Sequence, residues 1–173
     1  MNQFNKQLRL LGISIVAFCL MAPAVYAGSA TSSFTVTAQV VQSCTISTVP
    51  LGFGNYDPIV TNLSIALQVN GSVTITCTKG SATTIGLDPG QNAAKAIGTT
   101  RAMAQGVIDW LSYELYQDAG RTTVWGNSGA ALFTPPVAPS KAARTYPIYG
   151  SVPPAQSSTT GAYTDSVVAT VNF

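Results

Sequence analysis

The chain has 173 residues, 8 basic and 6 acidic side chains and no histidine, and 46% of it is hydrophobic against 8% charged. The absence of histidine removes Ser-His-Asp and Cys-His nucleophiles and His-ligated metals. The scarcity and scatter of charge give no basic patch for nucleic acid or an anionic membrane.

The chain opens with Lys6 and Arg9, no acid, and then an apolar run from Leu10 to Ala22. That run suits the core of a signal peptide and is too short to cross a bilayer. Val25-Tyr26-Ala27 supplies small residues where a signal peptidase cuts, so residues 1–27 are expected to be removed after export. The 146 residues that remain make one domain. Their basic residues (Lys79, Lys95, Arg101, Arg121, Lys141, Arg144) match their acids (Asp57, Asp88, Asp109, Glu114, Asp118, Asp165) in number. With net charge near zero, colloidal repulsion is weak and the surface tolerates assembly. Cys19 leaves with the signal, and the even pair Cys44 and Cys77 of an exported chain reads as a disulfide. Closing that 33-residue separation is worth about 3–4 kcal/mol in the chain-entropy model. Two thiols without histidine make a poor metal site, and no cofactor is expected.

From Phe34 to Val40, Phe34, Val36, Ala38 and Val40 share one face and Thr35, Thr37 and Gln39 the other, which is the period of a half-buried strand. Cys44 to Ser47 is a short strand. Leu63, Ile65, Leu67 and Val69 alternate with polar or small residues, Asn70-Gly71 predicts a hairpin turn, and Val73, Ile75 and Cys77 alternate again. If that strand lies beside the one that Cys44 begins, both thiols face inward and staple neighbours. Thr83–Leu87 is a short strand stopped by Asp88-Pro89-Gly90. Residues 91–109, broken by Gly98 and Gly106, read as a loop. Trp110–Gln117 and Thr122–Trp125 read as a hairpin central to the sheet. Four prolines from Phe133 to Pro147 point to loop or edge. Tyr146, Ile148 and Gly150 continue as a short strand, a Ser/Thr-rich loop follows, and the chain closes on Val167, Ala169, Val171 and Phe173 on one face. The sum is an all-β sandwich of Greek-key type with about seven strands.

Two routes satisfy the ends of such a chain. Its first and last strands can pair with each other, or the leader can reach outward to another molecule. Gly28 to Ser33 offers no turn, and between Val40 and Cys44 none of the usual turn residues appears, which favours reaching outward by β-strand addition.

FTVTAQVVQSCTI, LGFGNYDP, VTITCTKG, LSYELYQDAGRTTVWG, YPIYGSVPP and GAYTDSVVATVNF, in this order, resemble the spore coat protein U-like family, which includes pilin subunits of archaic, Csu-type chaperone–usher pili. The resemblance implies an incomplete immunoglobulin-like sandwich that is completed by a donor strand. It assigns residues 1–27 to a signal peptide, 28–43 to the donor segment and 44–173 to the pilin body. It implies Phe34, Val36, Ala38 and Val40 as donor side chains, Val167, Ala169, Val171 and Phe173 as the edge of the acceptor groove, and Cys44–Cys77 as the family's disulfide. The implied partners are neighbouring copies or related pilins, a periplasmic chaperone and an outer-membrane usher. The implied location is the periplasm in transit, then a cell-surface pilus. Residues 91–109 and 127–144 carry no assignment.

Catalysis has little to work with, because Asp57 and Asp118 stand in turn contexts and both cysteines are committed. The alternatives to a pilin are a self-complete secreted coat or matrix protein and a carbohydrate-binding module using Trp110, Trp125 and the tyrosines.

Overall fold

The computed structural model describes residues 25–173, so most of the expected signal peptide lies outside the described residues. Residues 25–38 carry no strand or helix, and their side chains are exposed. The remainder is all β, with two 3-10 turns at Ala93–Lys95 and Gly129–Ala131 as its helical pieces.

Seven strands form two sheets. The strands are β1 (Cys44–Val49), β2 (Leu67–Cys77), β3 (Thr84–Leu87), β4 (Arg101–Gln105), β5 (Asp109–Tyr116), β6 (Arg144–Val152) and β7 (Ala169–Asn172). The large sheet has the order β1-β2-β6-β5-β4, and β3 pairs with β7 in the small one. Period-two side chains of the two sheets meet in one core: Val73, Ile75, Leu111, Tyr113, Leu115, Ile148 and Val152 from the large sheet against Ile85 and Leu87 from the small one. Trp125 lies fully buried among them, and its indole N–H donates to Ile85 O at 2.9 Å. Cys44 and Cys77 are direct cross-strand partners in β1 and β2, and their disulfide staples the two strands as expected.

Two local expectations are corrected, and a third is refined. Asn70-Gly71 is no turn: it lies inside the eleven-residue β2, where Asn70 pairs with Tyr149 and Gly71 with Ile148 of β6. Arg121 holds the Asn70 amide oxygen at 3.2 Å, and a Cβ at Gly71 would press on Leu51 at 3.2 Å. The pair is therefore kept for packing, and partners 79 and 77 positions away override the turn propensity. Residues 91–109 include a strand, β4, which pairs with β5 from Arg101↔Tyr113 to Gln105↔Asp109. The expected hairpin after β5 is present but short: the chain turns at Asp118–Arg121, and Thr123–Trp125 returns beside Leu115–Gln117. Gln117 N–H donates to Thr123 O at 2.9 Å and Trp125 N–H to Leu115 O at 2.8 Å, around the bridge Tyr116↔Val124. Pro147 sits within β6, on a stretch that β5, ending its pairing at Tyr149, does not reach.

A buried ion pair explains why RAMAQ forms a strand. Arg101 is 1% exposed and Glu114 3%. The guanidinium donates to Glu114 Oε1 at 2.5 Å, to Leu87 O and Trp125 O at 2.9 and 2.7 Å, and to Asp88 O at 3.0 Å. Thr100 N–H and hydroxyl complete the Glu114 carboxylate, each at 2.8 Å from Oε2. One cation thus ties β4 and β5 to the end of β3. Removing one member leaves a buried charge unpaired, at a cost of about 3–5 kcal/mol. Arg101→Met and Glu114→Gln should each lower the midpoint of urea unfolding accordingly, and Arg101→Met/Glu114→Leu should recover most of the loss.

Candidate functional site

The small sheet is open on one side. Beyond β3, the chain from Phe133 to Ala138 covers the far edge: Ile85 and Phe133 exchange two backbone bonds at 2.8 and 3.0 Å, and Ala138 N–H reaches Ser81 O at 3.0 Å. On the near side β7 pairs with β3 from Leu87↔Ala169 to Thr84↔Asn172. Upstream, Thr164 exchanges bonds with Ala104 of β4, and Val168 O accepts from Asp88 N–H at 3.0 Å. Backbone groups of an extended chain point alternately to its two sides. Those of Asp165, Val167, Ala169 and Val171 consequently face away from β3 and β4.

Asp165, Val167 and Ala169 line a groove of about 460 Å³. Its floor is apolar, made by Leu87, Met103, Tyr113, Leu115 and Ile148, and its walls are residues 48–53 and 163–169. A wider space of about 900 Å³ continues it between residues 51–59 and 158–163, sharing Leu51, Phe53, Met103 and Tyr163. Leu51 and Phe53 lie against β2 and β6 because Gly71 and Gly150 leave room. A Cβ at Gly150 would stand 2.9 Å from the Phe53 ring and 3.1 Å from Leu51.

Of the residues expected at the groove edge, Val167, Ala169 and Val171 are half-buried against the core cluster, whereas Phe173 is 57% exposed. Of those expected as donors, Phe34, Val36 and Val40 are 86%, 80% and 83% exposed, and Ala38 is exposed too. The chain just before β1 is held in place. Thr78 N–H donates to Ser43 O at 2.9 Å, and the Thr78 hydroxyl donates to Val41 O and accepts from Ser43 N–H, both at 3.2 Å. The second groove wall, Leu51 and Phe53, escaped the sequence reading. Its signal was the apolar alternation within Leu51-Gly-Phe53-Gly.

The two tryptophans weighed as sugar platforms are occupied: Trp125 is buried, and Lys95 Nζ stands 4.7 Å above the Trp110 ring. Asp57 and Asp118 cap turns. Asp57 accepts from Ile59 and Val60 N–H, and Asp118 from Thr122 and Thr123 N–H, which holds both carboxyls below their ordinary range. Tyr113 donates to Asp165 Oδ2 at 2.6 Å, and burial first, then this carboxylate, push its phenol upward.

The family description "Spore Coat Protein U domain" matches residues 30–170. A curated relative, Protein U of Myxococcus xanthus, is 36% identical over 171 residues, covering 92% of each chain. Among solved structures, the fold is similar to one in the crystal structure of the CsuC–CsuE chaperone–tip adhesion subunit pre-assembly complex from archaic chaperone–usher Csu pili of Acinetobacter baumannii. The TM-score is 0.56 at 21% identity, covering 78% of this chain and 40% of that one. The likeness is one of fold, and this chain spans less than half of that chain's length.

Side chains, more than a ladder, hold the groove wall from Gln156 to Val168. Gln156 exchanges bonds with both backbone groups of Ser112 at 2.8 and 2.9 Å. Asp109 accepts from Thr159 N–H at 2.5 Å and from the Tyr163 hydroxyl at 2.9 Å. The Thr159 and Trp110 N–H groups lower the Asp109 carboxyl from 3.8 to about 2. Because the folded value is the depressed one, this tie is complete above pH 3.8 and is lost as the pH falls through about 2. The Asp109 carboxyl carbon resonance should titrate near 2, and Asp109→Asn should broaden the Thr159–Tyr163 amides at neutral pH.

Proposed function

Because this chain belongs to the Spore Coat Protein U domain family, we propose that it is a structural subunit of a chaperone–usher pilus, linked to its neighbours by donor-strand exchange. One observation carries the reading: the same chain holds an apolar groove bordered by unpaired β7 backbone and an exposed leader whose apolar side chains alternate with the period of a strand. Each supplies what the other lacks. The leader of one copy would add to β7 of the next, with backbone bonds for affinity and alternate side chains for fit.

In this reading residues 28–43 are the donor segment and residues 44–173 the body. Phe34, Val36, Ala38 and Val40 fill the groove beside Val167, Ala169, Val171 and Phe173. Burying Phe34, Val36 and Val40 contributes about 1.5–3 kcal/mol each. Backbone bonds add about 0.5–1.5 kcal/mol apiece, against ordering costs of about 1–2 kcal/mol per residue. Before assembly, a periplasmic chaperone covers the groove. An outer-membrane usher then exchanges it for the next subunit's leader, and the exported fibre supports adhesion or biofilm formation at the cell surface. The similarity to a solved chaperone–subunit pre-assembly complex supports the chaperone step.

Val36→Asp or Val40→Asp should abolish the heat-labile ladder that fibres give on denaturing gels. Co-purification with the chaperone should be unaffected, because the groove is intact. Normal ladders from both variants would refute the donor assignment. A chain that refolds alone to a durable monomer with a protected leader would refute the pilin reading itself.

A further inference from the structure

Alternation by itself leaves the register of an incoming strand undetermined. A slip of one residue turns every side chain to the wrong face, but a slip of two keeps the pattern. The groove edge holds one feature that is not periodic. Along residues 163–171 the odd positions are half-buried, and they read Tyr163, Asp165, Val167, Ala169, Val171. Asp165 puts a carboxylate into an otherwise apolar row and lines the groove.

That carboxylate is fixed. Oδ2 accepts from the Tyr113 hydroxyl at 2.6 Å, and Oδ1 accepts from Gln91 N–H at 3.0 Å and Asn92 Nδ2 at 3.2 Å. Gly90 makes the room, since a Cβ there would stand 2.1 Å from Oδ2. The leader has a matching profile. On the face of Phe34, Val36, Ala38 and Val40, the flanking positions are Ser32 and Gln42. The wall opposite β7 includes Pro50, Gly52, Gly54 with φ 77° and Pro58, too irregular for a long ladder, so β7 supplies the regular pairing. Antiparallel pairing is the more stable kind.

Resting on the donor-strand reading above, we propose that Asp165 sets the register of the incoming strand. Gln42 of the donor lies beside Asp165, and Val40, Ala38, Val36 and Phe34 lie beside Val167, Ala169, Val171 and Phe173. A slip of two residues toward the Tyr163 end places Val40 against the carboxylate and removes water from a charge that has only neutral donors around it, without adding one. A slip the other way carries Phe34 past Phe173 and forfeits its burial. Asp165 is thus a positioning residue, and the amide of Gln42 is the side chain that tolerates it.

Cysteine pairs in fibres sheared from cells test the register. V36C with V171C reports the proposed alignment, and V36C with A169C reports the two-residue slip. With native Asp165, only V36C/V171C should give multimers that survive boiling without reductant. Asp165→Val should bring up the V36C/A169C product. Asp165→Asn keeps the shape and the Tyr113 bond and should bring it up more weakly, which keeps the test valid if the valine variant fails to fold. Cross-linking of V36C/A169C with native Asp165, which parallel insertion would also give, overturns the proposal. So do an unchanged pattern in both Asp165 variants and a normal heat-labile ladder with neither cross-link. Absence of any ladder from the native chain is a different result, because it removes the donor-strand reading itself.

Discussion

Among the described residues β7 is hydrogen-bonded on one side only, to β3, and much of this molecule can be understood from that. Its partner β3 is shielded on the other flank by Phe133 to Ala138, so the small sheet has a single open side. The open side borders an apolar groove, because the large sheet passes beneath it with Tyr113, Leu115 and Ile148. An edge of this kind has unmet backbone valence and an unfilled interior together. Most proteins blunt such an edge with charge, proline or a covering loop. Here the edge residues Val167, Ala169 and Val171 are apolar and half-buried, which is the feature that the proposed strand addition uses.

An apolar groove beside an open edge must be kept from collapsing, and four of the six acids, together with Arg101, brace it. Arg101 and Glu114 join β4 and β5 to the end of β3 beneath the groove. Asp88 bonds Val168 N–H at 2.9 Å, Asp165 bonds Tyr113, and Asp109 bonds Thr159 and Tyr163. Each carboxylate holds a segment with little ladder of its own. Gly71 and Gly150 do the corresponding work on the opposite wall by letting Leu51 and Phe53 lie flat on the sheet.

The segments that misled were those whose conformation is decided from a distance. RAMAQ carries alanine, methionine and a charge, none of which argues for a strand, and it becomes β4 because Glu114 and three backbone carbonyls receive Arg101. Asn70-Gly71 carries the strongest short turn signal and lies flat because β6 pairs across it. Leu51 and Phe53 gave a weak sign, two apolar residues among glycines, and only packing on β2 and β6 makes them a groove wall.

Period-two alternation was enough, from the sequence alone, to establish an all-β sandwich, an apolar leader and an apolar closing strand. Two cysteines in an exported chain were enough for their pairing. These are local properties, carried by each segment wherever it lies. Which edge remains open, which residues line the space beside it, and which carboxylate interrupts its apolar row were decided by tertiary structure. They depend on contacts between segments some 15 to 100 positions apart, such as Ser112 with Ile97 and Tyr56 with Gln156, and no local pattern records the partner that a strand lacks.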